Sequence, residues 1–130
     1  MKKVLLIILL FFAGILAVFG IVFFNMKNEL KKIDKTPVDI SQVEDGVYDG
    51  NSETSLVKVA VRVTVCDGAI SNIELIRHEC GKGGIANGIV DTILERNDVE
   101  VDAVSGATVS SEVIKDAVRQ ALRSKKTDEN

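Results

Sequence analysis

The sequence predicts an α+β protein: a single N-terminal transmembrane helix, then a small domain of mainly antiparallel strands with two helices on one face. Three observations carry this. No charged or strongly polar residue occurs from Val4 to Phe24. Val57, Val59, Val61, Val63 and Val65 alternate with Lys58, Ala60, Arg62, Thr64 and Cys66, the period of a half-buried strand. Two later segments repeat apolar residues at the helical period.

The run VLLIILLFFAGILAVFGIVFF holds 21 residues, which as a helix reach about 31 Å and span a hydrocarbon core. A cleaved signal peptide is the alternative. Against it, the run exceeds the usual ~7–15 apolar residues and no A-x-A-like site follows. No cysteine follows to carry a lipid. Residues 1–25 are thus expected to be an anchor with its span at 4–24. Residues 26–44, which contain the lone Pro37, read as a polar stalk, 45–123 as the domain and 124–130 as a disordered tail. Lys2 and Lys3 precede the span, while Lys27, Lys31, Lys32 and Lys35 follow it. Counted literally, these charges place the domain in the cytoplasm. Long domains cross largely regardless of such charge, so both orientations stay open at this point.

Within the domain, Gly46-Val47-Tyr48-Asp49-Gly50 reads as a short first strand. The valine strand follows, and Asp67-Gly68 supplies a two-residue hairpin turn. The return strand runs from about Ala69 to Arg77. Ile70 and Ile73 fall on opposite phases of it, which points to a bulge. Ile85, Ala86, Ile89, Val90, Ile93 and Leu94 form the apolar stripe of one helix. Val113, Ile114, Ala117, Val118, Ala121 and Leu122 form that of a second. Between them, Val99 to Val104 reads as a further strand.

Composition excludes several functions. The net charge of −3, the lack of a basic tract and the scarcity of aromatics argue against nucleic acid. Two cysteines are too few for a disulfide scaffold. There is no haem-attachment motif and no clustered Cys/His set for a metal. Cys66 and Cys80 are expected to stay unbridged, because Cys66 faces Ala69 across the hairpin and Cys80 lies eleven residues further on. Any redox chemistry then belongs to an organic cofactor.

The segment from Asp102 to Ser111, DAVSGATVSS, joins the last strand to the last helix. Helix starts carry free N–H groups and a partial positive charge, and so bind phosphates. Gly106 and Ala107 leave room for a ligand, and Ser105, Thr108, Ser110 and Ser111 offer hydroxyls. A plainer reading has Ser110 or Ser111 capping the helix, with Gly106 making the turn. A second candidate is His78-Glu79-Cys80-Gly81-Lys82-Gly83-Gly84. Gly81 and Gly83 could let backbone approach a flat ring; the plainer reading is a glycine-rich loop with Lys82 solvated.

Asp102-x-x-Ser105-Gly106-Ala107-Thr108 resembles the flavinylation motif of the FMN-binding domain family. That family includes flavin-carrying subunits of sodium-pumping NADH:quinone oxidoreductases and Rnf-type complexes, and many small anchored extracytoplasmic proteins. The resemblance covers roughly Asp45 to Leu122, including the Asp45–Gly50 opening, the valine strand with its turn, and His78-x-Cys80-Gly81-Lys82-Gly83. It implies that a flavin transferase moves the FMN part of FAD onto the Thr108 side chain as a phosphoester. Asp102 matches the motif's leading acid, and Ser105, Gly106 and Ala107 match the small residues that present the hydroxyl. The His78–Gly84 segment resembles the family's Gly-basic-Gly version rather than its Glu-Thr-Pro-Gly version. Lys82 near the flavin N1 edge would raise its potential, and His78 is a candidate ring contact. The resemblance favours a domain outside the cytoplasm and a membrane-bound electron donor or acceptor as partner. It implies an electron carrier rather than a stand-alone enzyme. The alternatives are a noncovalent FMN-binding sensor or reductase subunit, and a cofactor-free interaction module of the same fold.

Overall fold

The computed structural model describes residues 1–79, 87–105 and 107–124. Two units are distinguished by their internal contacts, Met1–Lys32 and Ile33–Asn130.

The first unit is one helix, α1 (Lys2–Lys32). It is long and apolar enough to cross a membrane. The helix does not stop with the apolar run, because Met26 to Lys32 consists mostly of good helix formers and proline is not met until Pro37. The Lys27 ammonium lies 5.0 Å from the centre of the Phe23 ring, where the apolar run ends.

The second unit is built on a three-stranded antiparallel sheet of order β1 (Gly46–Glu53), β2 (Lys58–Cys66), β3 (Ala69–Glu79). Val57, Val59, Val61, Val63 and Val65 are all at most 5% exposed, as their alternation predicts. Asp67 and Gly68 turn the chain with φ of 53° and 73°, so Cys66 faces Ala69. The expected bulge exists, and there are two. Thr64 pairs with Asn72 while Val65 pairs with Ile70, which leaves Ser71 over; Ala60 and Val61 pair with Arg77 and Leu75, which leaves Ile76 over. The first extra residue resets the phase, so Ile70 and Ile73 both reach the core.

Helix α2 (Gly88–Arg96) buries Ile89, Val90 and Ile93 and packs on β3. Its last turn ends at Asn97 in the left-handed conformation (φ 49°). Helix α3 (Thr108–Arg123) lies on β1 and β2, with all six residues of its predicted stripe buried. The expected stripe residues Ile85 and Ala86, like the expected tail from residue 125 onward, lie outside the described residues.

One expectation is corrected. Val99–Val104 forms no strand. Val99 and Val101 are buried while Glu100 and Asp102 are not fully so, which reproduces strand-like alternation. The chain here lies along α3 instead of pairing with the sheet: Arg119 holds Glu100, and Ser111 holds Val104. Residues 34–43 also pack on this unit. Ile40 is buried in the core in a short 3-10 turn, Ile40–Gln42. Asp34 pairs with Arg123 at 3.0 Å, and Lys35 with Glu112 at 3.8 Å.

Candidate functional site

The motif segment enters α3 through a tight turn. The Ala107 N–H donates to the Val104 carbonyl at 3.0 Å, and the Ser111 N–H donates to the Ala107 carbonyl at 2.9 Å. Ala107 takes the cap position and Thr108 is the first helical residue. Among the described residues, no side chain caps this helix. Its first N–H groups therefore have no intrahelical partner and, among the described residues, no side-chain acceptor, and they carry the positive end of the helix dipole.

The two serines thus do not cap. Ser110 and Ser111 are the third and fourth residues of the helix, at 6% and 0% exposure. The Ser111 hydroxyl points into the fold and accepts the Val104 N–H at 3.0 Å. Thr108, in contrast, is exposed, and its hydroxyl makes no hydrogen bond among the described residues. Asp102 and Ser105 are exposed as well, on the same turn. The turn thus gathers Asp102, Ser105, Ala107, Thr108, Ser110 and Ser111; Gly106 lies outside the described residues.

This is a fitting place for a phosphate ester. An exposed hydroxyl stands at the first position of a helix whose N–H groups are uncapped, so a phosphate on Thr108 would meet donors and positive charge. A threonine two turns further on would meet neither.

His78 belongs to a different junction. It ends β3 and is hydrogen-bonded through Nδ1 to Asn87 Oδ1 at 2.8 Å, just before α2. That bond ties the two ends of the glycine-rich segment together. Gly81, Lys82 and Gly83, and with them Cys80, lie outside the described residues.

The residues that sequence reasoning passed over are charged and buried. Arg119 is 0% exposed, and its Nε and Nη2 donate to Glu100 Oε1, each at 2.8 Å. Asp116 is 5% exposed and accepts from the Ser52 hydroxyl of β1. Lys115, 7% exposed, pairs with Glu112 at 3.4 Å. In sequence they look like the solvated face of an amphipathic helix; only the segments laid over that face bury them.

The fold is that of a small α+β domain whose motif turn presents an uncapped helix start to solvent. The family model described as FMN-binding domain matches residues 56–123, which is 68 of the 130 residues. The chain belongs to the FMN-binding domain family. A relative from Treponema pallidum (strain Nichols), described as an uncharacterized protein, is 29% identical over 86 residues. That match covers 64% of this chain and 24% of the relative, so the chain spans about a quarter of the length of the curated relative it matches.

Proposed function

We propose that this protein carries FMN covalently on Thr108 and relays electrons for a membrane redox chain, with residues 45–123 as the flavin domain and 4–24 as its membrane span. The observation that carries this is the Thr108 hydroxyl, exposed and unbonded among the described residues, at the start of an uncapped helix. Attachment balances simply. Thr108 Oγ1 bonds to the FMN phosphorus of FAD, the pyrophosphate bond breaks, AMP leaves, and the hydroxyl proton passes to a base of the flavin transferase. No oxidant or reductant is consumed.

The uncapped N–H groups at the start of α3 would hold the ester phosphate. Asp102 would be read by the transferase, and Ser105, Gly106 and Ala107 would, as small residues, present the Thr108 hydroxyl to it. Bound FMN supplies reversible one- and two-electron chemistry, and the protein supplies attachment, orientation and electrostatics. His78, with Gly81, Lys82 and Gly83, is proposed to face the ring. A covalent tether is useful where lost FMN cannot be replaced, which favours the extracytoplasmic side. The redox partner is then a membrane-bound donor or acceptor.

The test is the intact mass of the chain, exported and co-expressed with a flavin transferase, for wild type and Thr108→Ala. One FMN on wild type and none on the variant is the expected result. Flavin that co-purifies yet is lost on dialysis in denaturant would replace the covalent reading with a noncovalent one.

A further inference from the structure

Two contacts fasten the motif segment to α3, and their spacing matches. Glu100 is held by Arg119, and the Val104 N–H by the Ser111 hydroxyl. Four residues of extended chain from Glu100 to Val104 cover about 13 Å. Eight helical residues from Ser111 to Arg119 cover about 12 Å. The segment therefore runs antiparallel to the helix between two fixed points, with Val99 and Val101 buried beneath it. The second point lies three residues before Ala107, and Ala107 itself donates back to Val104. Slack at either point passes directly to Asp102, Ser105 and Thr108.

Both anchors are fully buried, at 0% exposure, and neither can reach a ligand on the outer side of the turn. Arg119 Nη1 has no partner among the described residues. Burying such a charge is costly unless it holds its carboxylate firmly. These are the properties of residues that act through others.

We propose that Ser111 and Arg119 are positioning residues, forming with Val104 and Glu100 a two-point clamp that sets the Thr108 hydroxyl for flavin transfer. This rests on Thr108 being the acceptor. Transfer onto a hydroxyl requires that oxygen in line with the phosphorus, and a displacement of about 1 Å can cost two orders of magnitude in rate. The clamp thus acts on the turnover of loading more than on recognition of the exposed motif.

The test uses the full chain in detergent. Ser111→Ala removes one oxygen and Glu100→Gln one charge, so neither changes the volume packed in the core; unfolding of each variant is measured beside loading, because each leaves a buried partner, the Val104 N–H or Arg119, less well satisfied. Ile73→Val, a core trim in β3, controls for lost stability. Two further quantities are read: amide exchange of residues 102–108, and FMN loading as kcat and KM for the chain with purified transferase and FAD. Ser111→Ala and Glu100→Gln are each expected to raise exchange in that segment about tenfold. Each is expected to lower kcat about tenfold with KM nearly unchanged. Ile73→Val is expected to load as wild type does. If the clamp variants load at the wild-type rate, or Ile73→Val slows loading as much as they do, the clamp is overturned while Thr108 stands. If wild type gains no flavin at Thr108, the acceptor reading falls and takes the clamp's role with it.

Discussion

Gly50 of β1 lies directly against Ala117 of α3: a Cβ placed on Gly50 would come within 2.2 Å of the Ala117 carbonyl oxygen and 2.4 Å of the Ala121 N–H nitrogen. Both are backbone atoms of α3, so neither can step aside alone. The absence of a side chain at Gly50 is what lets α3 settle closely onto β1.

Gly50→Ala is therefore expected to lift α3 and destabilise the protein by about 3 kcal/mol or more, the upper range for overpacked sites. Urea unfolding of the full chain in detergent measures it. A loss below about 0.5 kcal/mol, the usual limit for harmless surface changes, would show that the helix does not sit where described.

Asn97 does two jobs at the end of α2. It adopts the left-handed conformation that terminates the helix, and its Oδ1 accepts the Ile70 N–H at 2.8 Å beside the first bulge of β3. Asn97→Gly keeps the backbone but loses the acceptor, and is expected to cost about 1 kcal/mol. Asn97→Ala loses the acceptor and strains the backbone, and is expected to cost about 2–3 kcal/mol. Equal costs for the two would mean that the backbone conformation at Asn97 is not the one described.

The valine strand, the hairpin and both amphipathic stripes were legible because each is a one-dimensional periodicity. The failure at Val99–Val104 has the same root. Alternating burial records only that one side of an extended chain faces the core, and a chain laid along a helix alternates as well as one paired in a sheet. The motif turn was legible as small residues before a helix, but the inward direction of Ser111 was not. Nothing in a list of hydroxyls says which one faces its own backbone. The burial of Arg119, Asp116 and Lys115 was illegible for a further reason. Arg119 and Asp116 meet partners 19 and 64 positions away, Glu100 and Ser52, which no local pattern announces.

Cys66 is exposed, and the thiol is held above its ordinary value, first by the charge of the adjacent Asp67, then by that of Asp45. A raised thiol pKa means less thiolate at neutral pH and slower alkylation. Asp67→Asn removes the larger cause, and asparagine tolerates the left-handed φ of 53° at this turn position. Alkylation of Cys66 near neutral pH, followed by peptide mapping, is expected to run severalfold faster in Asp67→Asn. Equal rates would exclude Asp67 as the source of the damping.

Asp34 ties residues 34–36 to the end of α3. Its Oδ1 accepts from the Thr36 hydroxyl at 2.6 Å and the Thr36 N–H at 2.9 Å, while Oδ2 meets Arg123 at 3.0 Å. The carboxyl is held below its ordinary value of 3.8, first by the Thr36 hydroxyl, then by the Thr36 N–H. A carboxyl depressed in the folded state stabilises it above the unfolded value, and the gain is lost as pH falls through the folded value. The attachment is therefore expected to be intact at about pH 5 and to loosen only once the pH drops below 3.8. Amide protection of Thr36, corrected for the intrinsic pH dependence of exchange, reads this directly. Asp34→Asn should show low protection at every pH, because an amide carries no charge to attract Arg123. Loss of protection in wild type already above about pH 5 would assign the attachment to a group with a raised, not lowered, pKa.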